Sequence, residues 1–137
     1  MPERVLNSFQ IEAYRGLHGL GFADFGRLNL LFGPNNSGKT SVLEGLGTFC
    51  RPTDSQHWLK SRQLRDPGGI DESRLSTLRW FFADLQPIAG HAKSEAEEPL
   101  YEGHISLRGE GDHPIREVNA SYEEFVVEVA PQQLPLW

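Results

Sequence analysis

The chain has 137 residues, a net charge of −6 and 38% hydrophobic residues, enough for one domain with a real core. Its 13 Lys and Arg are scattered, which argues against a basic nucleic-acid-binding face. A single cysteine excludes a disulfide framework, and no apolar stretch approaches the length of a membrane span, so the sequence reads as soluble and cytoplasmic, with no membrane partner.

Phe9, Ile11 and Ala13 alternate with polar residues, the pattern of a half-buried strand over 5–14. Tyr14, Arg15, Gly16 and Leu17 turn the chain, and Gly19 and Gly21 are expected to keep it turning. Leu28-Asn29-Leu30-Leu31-Phe32 is an apolar run that reads as a buried strand. It leads directly into Gly33-Pro34-Asn35-Asn36-Ser37-Gly38-Lys39-Thr40, which fits G-x-x-x-x-G-K-[ST], the P-loop or Walker A pattern. The residue types state the chemistry. Glycines let successive backbone N–H groups converge on a phosphate chain, and the following helix points its positive end at the same anion. Lys39 would neutralise β- and γ-phosphate oxygens, and the Thr40 hydroxyl would hold Mg²⁺. Val42, Leu43, Leu46, Phe49 and Cys50 then recur as one helical face, which would bury the Cys50 thiol.

Residues 51–70 are polar and read as a loop, with Pro52 and the turn Asp66-Pro67-Gly68-Gly69. Arg51, Lys60, Arg62 and Arg65 form a loose basic group, either a solvated loop or a weak DNA contact. His57-Trp58 could anchor that loop or stack on an adenine. A helix capped by Asp71 is expected through Leu75, Leu78, Phe82 and Leu85, with a strand over residues 80–83 as the alternative. A second loop, with the acidic patch Glu95, Glu97 and Glu98, precedes a β tail. There Ile105 and Leu107 alternate, Gly109 to Asp112 turn, Ile115, Val118 and Ala120 resume, and Phe125 to Val129 form a last strand. His91, His104 and His113 have no metal-ligand spacing.

The strand, the Tyr14-Arg15-Gly16 turn, the apolar run and the loop through Leu46 together resemble the N-terminus of ABC-type ATPases of the SMC, Rad50 and RecF group. The form is similar to the branch that includes OLD-family nucleases and anti-phage AAA-labelled ATPases. The resemblance covers about residues 7–50. It implies an α/β fold, the N-terminal portion of a P-loop NTPase with an antiparallel β meander. Residues 1–50 would carry strands, loop and helix, 51–99 a loop-helix insertion, and 100–130 the meander. It implies ATP and Mg²⁺ as cofactors. Gly33, Asn35, Asn36, Ser37, Gly38, Lys39, Thr40 and Ser41 would line the phosphates, with Thr40 on the metal. Arg15 sits where such proteins place a polar group near the nucleotide, although a structural arginine at a strand exit fits equally.

Such an ATPase also needs a Walker B strand and a signature motif, and neither is present in this sequence. Trp80-Phe81-Phe82-Ala83-Asp84 lacks the Glu that should follow, and Phe125-Val126-Val127-Glu128 lacks the Asp. Gln132 and Gln133 fall where a Q-loop glutamine would come, or form a polar tail. The expectation is therefore one incomplete ATPase head over 1–137. It would bind ATP and, in a complete protein, form a homodimer or larger homo-oligomer coupling hydrolysis to DNA work, such as gating a nuclease in repair or phage defence. The alternatives are a non-catalytic, self-associating nucleotide-binding or assembly module, and a small complete NTPase or nucleotide kinase using Asp84. No guanine-reading motif is visible, which leans toward ATP over GTP.

Overall fold

The alternation of Phe9, Ile11 and Ala13 has the consequence expected of it. These side chains point to one face of β1 (Ser8–Tyr14) and are buried, while Gln10 and Glu12 face out. The computed structural model describes residues 5–65, 79–82, 85–90 and 99–125. β1 pairs antiparallel with β2 (Leu17–Phe22) through a two-residue turn, Phe9 opposite Phe22 and Tyr14 opposite Leu17. Gly19 and Gly21, expected in a turn, lie inside this strand.

On its other edge β1 pairs antiparallel with β4 (Tyr101–Glu110), Ile11 opposite Leu107, with a register shift between Ile11 and Ala13. The two-residue β3 (Gln86–Pro87) and β5 (Glu117–Glu123) also pair with β4, completing a five-stranded antiparallel sheet. Ile105, Leu107 and Val118 join Phe9 and Ile11 on the buried face. Arg108, Glu12 and Glu117 make exposed ion pairs of 3.7 and 3.8 Å on the other, so the sheet has one dry and one wet side.

α1 (Lys39–Cys50) lies on the dry side, seating Gly45, Thr48 and Phe49 on the sheet. Phe49 is fully buried, its ring 5.4 Å from Phe9 and 5.8 Å from His113. A Cβ on Gly109 would stand 2.6 Å from Phe49 Cζ, so only glycine lets this ring reach β4. The expected helical face is wider than the stripe the sheet covers. Leu43 stays 60% exposed, and Cys50 is exposed rather than buried.

The polar segment after α1 is not a loop throughout but forms α2 (Ser55–Arg65). Asp54 starts it, its Oδ1 accepting from the backbone N–H groups of Gln56 and His57 at 3.0 and 3.2 Å. Trp58 packs edge-on against Phe81 at 5.0 Å and donates its indole N–H to Pro52 O, which makes it a packing anchor.

Residues 79–81 are helical, as the helical reading of that segment requires and against the strand alternative. Arg79 donates to both Glu124 oxygens, Nη2 to Oε2 at 2.8 Å. Glu124 is buried and also accepts from the Tyr122 hydroxyl at 2.7 Å and the Tyr101 backbone N–H at 3.3 Å. The Arg79 guanidinium beside it holds its carboxyl down at about 2, against the opposing effect of burial.

One expected strand is not formed, and most of another falls outside the described residues. Phe125 lies outside any strand and is 75% exposed, and Val126 to Val129 lie outside the described residues. Residues 28–32 are neither a strand nor buried: Leu28, Leu30 and Phe32 are 81, 70 and 83% exposed. The physical reason is the want of a neighbour. A run apolar on both faces needs strands on both edges and cover on both sides. Among the described residues no strand pairs with it. Asp71, Asp84, Glu95, Glu97, Glu98, Gln132 and Gln133 also lie outside the described residues.

Candidate functional site: the phosphate loop and its clamp

The loop of residues 33–38 closes at the N-terminus of α1. Asn36 and Gly38 adopt left-handed φ of 63° and 89°, separated by one residue of ordinary hand. Alternation of this kind curls backbone N–H groups toward a common centre, a concavity suited to an anion. Asn tolerates the left-handed region and Gly adopts it freely. The Ser37 N–H donates to Pro34 O at 3.3 Å and pins the curl. Gly33 closes the mouth, where an added Cβ would stand 2.7 Å from Ser37 Oγ.

Gly38 is the N-cap of α1, and its carbonyl accepts the first helical bond, from Val42 N–H at 2.9 Å. No side chain caps this end and no acidic residue sits in the first turn. The leading N–H groups and the positive end of the helix dipole therefore remain available to a negative ligand. Lys39 folds over the loop, its Nζ donating to Gly33 O and Pro34 O at 2.6 Å each and lying 3.4 Å from Ser37 Oγ. An ammonium held by neutral carbonyls has a stronger partner in a phosphate oxygen. Thr40, Asn35 and Asn36 are exposed beside it.

Arg15 occupies the tip of the β1–β2 turn at φ 52°, a conformation costly for a long side chain. Its contacts explain why the cost is borne. Nη1 donates to Ser41 Oγ at 3.3 Å and to Glu44 Oε2 at 3.2 Å, and Cζ lies 3.7 Å from the centre of the Trp80 ring. Arg15 thus grips the first two turns of α1, the helix that carries Lys39 and Thr40, rather than reaching over the loop. Ser41 is engaged by this clamp. Gly33, Asn35, Asn36, Ser37, Gly38, Lys39 and Thr40 are brought together on one exposed rim.

Trp80 was missed as a site residue, because its partner Arg15 lies 65 positions away and only the fold joins them. The aromatic run around it was the available signal. No group of three or more His, Cys, Asp or Glu among the described residues could hold a metal ion. A Mg²⁺ at this site would rest on the Thr40 hydroxyl, with phosphate oxygens and water supplying its other ligands. No helix among the described residues is long and apolar enough to cross a membrane.

Comparison with known proteins finds a short stretch of the chain similar to proteins of DNA replication and repair. It is 44% identical over 50 residues to the DNA replication and repair protein RecF of Chlorobium luteolum, covering 36% of this chain and 13% of that protein. It is 49% identical over 41 residues to the protein of the same name from Pseudomonas fluorescens, covering 30% and 11%. No family model matches the chain, and no solved structure matches it. The similarity is local, and the matched stretch is about an eighth of the length of these relatives. What the chain shares with these RecF proteins is a partial sequence likeness.

Proposed function

We propose that this chain binds the phosphate chain of ATP through residues 33–41, as the N-terminal portion of an ABC-type ATPase head with DNA-related work. The observation that carries the reading is the curled loop at an uncapped helix start with Lys39 folded over it. The local similarity to RecF supports it independently. In this reading the backbone N–H groups of Asn36, Ser37, Gly38, Lys39 and Thr40 cradle the phosphates. Lys39 exchanges its carbonyl partners for phosphate oxygens, and Thr40 holds Mg²⁺. Asn35 contacts the nucleotide from the loop's rim, and Arg15, with Ser41, positions α1. P-loop NTPase is thus the proposed fold class.

Hydrolysis belongs to a complete head, because no run of four apolar residues in the sequence leads into an Asp-Glu pair, the Walker B form that holds Mg²⁺ and activates water. The finer picture has two heads closing on ATP to gate a nuclease acting on DNA, in repair or phage defence. It rests on the resemblance to OLD-family and anti-phage ATPases over residues 7–50, and a nuclease partner is proposed on that basis alone.

The test is a titration of the purified chain with a fluorescent ATP analogue and Mg²⁺, beside Lys39→Ala. Saturable binding that weakens at least about tenfold in the variant is expected, the loss of one charge-assisted contact to phosphate. Competition by unlabelled ATP but not GTP would support the adenine preference. Equal affinity in the two proteins, or no binding by either, would overturn the reading.

A further inference from the structure

Residues 79–82 are consecutive, yet each binds a different part of the molecule. Arg79 donates to both oxygens of the buried Glu124 just past β5, and its guanidinium carbon lies 5.1 Å from the centre of the Tyr101 ring of β4. Phe81 meets Trp58 of α2 edge-on at 5.0 Å, and Phe82 stacks on Tyr122 of β5 at 5.2 Å. Both phenylalanines are buried. A Cβ on Gly103 would stand 2.9 Å from Phe82 Cβ, so glycine is what lets Phe82 seat on β4. Trp80 stands among these anchors, near-perpendicular to Phe81 at 4.9 Å, and gives its ring face to Arg15 at 3.7 Å. The indole is thus carried by a segment tied to α2, β4 and β5 at once.

α1 lacks the ordinary means of fixing its own start. No side chain caps it and no acidic residue lies in its first turn. Its leading N–H groups stay open to an anion, and the turn that carries them is left prone to fray. The hold comes from outside, from Arg15 on Ser41 Oγ and Glu44 Oε2. A long side chain fixes a helix only when its own end is fixed, and the Trp80 face does that for the planar guanidinium. We propose that Trp80 is a positioning residue for phosphate binding. By holding the Arg15 guanidinium flat it keeps the first turn of α1 in the conformation that presents Lys39, Thr40 and the loop N–H groups to ATP. The inference rests on the reading of residues 33–41 as a phosphate site. Removing the stack leaves every phosphate-contacting group present but lowers the fraction of chains in the competent conformation, and the apparent dissociation constant rises in proportion.

Two variants of the whole chain test it. Trp80→Leu keeps apolar bulk without an aromatic face, and Trp80→Phe keeps a face. Amide exchange needs no nucleotide. Trp80→Leu is expected to accelerate exchange at residues 42–46 about threefold to fivefold, leaving residues 105–109 of β4 unchanged, and Trp80→Phe to restore most of the protection. Titration with a fluorescent ATP analogue and Mg²⁺ is expected to show the same loss of affinity in Trp80→Leu, with Trp80→Phe between it and the wild type. A chain carrying both Arg15→Lys and Trp80→Leu is expected to bind no more weakly than the weaker single variant, since both act on one contact. Exchange at residues 42–46 that stays at the wild-type rate in Trp80→Leu would overturn the proposal. Acceleration spread equally over β4, which marks a general loss of stability, would do the same, as would additive losses in the double variant. Binding that Lys39→Ala weakens and Trp80→Leu does not would overturn this proposal alone. A wild-type chain that binds no analogue would overturn the phosphate-site reading as well.

Discussion

Glu124→Gln isolates the contact that ties Arg79 to the end of β5. In the folded chain Arg79, the Tyr122 hydroxyl and the Tyr101 N–H all favour the Glu124 carboxylate, holding it at about 2 against an ordinary 4.5. A folded value below the unfolded one means that the stabilisation is complete above the unfolded value and is lost as pH falls through the folded one. The contribution is therefore full above about pH 5 and declines toward pH 2. That difference corresponds to about 3 kcal/mol. The Arg79 side chain is 32% exposed and partly screened by water, which reduces this to about 1–2 kcal/mol. Glutamine keeps one acceptor oxygen, enough for the Tyr101 N–H, replaces the oxygen that faces the Tyr122 hydroxyl with an NH2 donor, and loses the charge. Urea unfolding of both proteins between pH 7 and pH 2.5 separates this group from every other carboxylate, because the others titrate alike in both. The variant should be less stable at neutral pH by that amount, and the gap should narrow steadily from about pH 4.5 down to pH 2.5, heading for convergence near pH 2. Profiles that stay parallel to the acid end would refute the clamp.

Two further outcomes follow from contacts at α1. Gly109→Ala places a methyl 2.6 Å from the fully buried Phe49 ring, which Phe9 and His113 hold in place. Overpacking of this kind should cost about 1–3 kcal/mol in calorimetric unfolding, and an unchanged melting temperature would contradict the seating of Phe49 on β4. Arg15→Lys keeps a charge but loses the planar guanidinium stacked on Trp80 and its reach to Ser41 and Glu44. Amide exchange at residues 42–46 should accelerate about fivefold, with weaker ATP-analogue binding, as expected for losing one partly buried ion pair. Unchanged exchange would make Arg15 a bystander to α1.

How much the sequence revealed depended on how local each cause is. The loop was legible because its shape is written in eight consecutive residues. So were β1 and β4, whose alternation is a property of the strand itself. α2 was hidden, because its residues carry almost no apolar face, and Asp54 with Trp58 were its only signals. The Arg79–Glu124 clamp joins residues 45 apart, and the Arg15–Trp80 stack is longer still. No local pattern encodes either. The face of α1 was overread, because periodicity says which residues share a side but not how wide the sheet beneath it is.

Residues 28–32 expose the deeper reason. Their apolar run reads as a buried strand, yet an apolar run is not a strand until another edge supplies hydrogen bonds. The phosphate loop that follows needs no such partner. Its left-handed residues, the Ser37–Pro34 bond and the Lys39 contacts to Gly33 and Pro34 all lie within seven positions. α1 behind it is held by Phe49, Gly45 and the Arg15 clamp, none of which involves residues 28–32. Folding of the loop and completion of the sheet are therefore separable in this chain. The first draws on contacts already made, and the second waits for a surface brought by another strand. A partner that pairs with residues 28–32 would fix Phe32, the residue next to Gly33, and so stiffen the loop's entry. Pre-ordering a binding loop lowers the entropy that its ligand must pay.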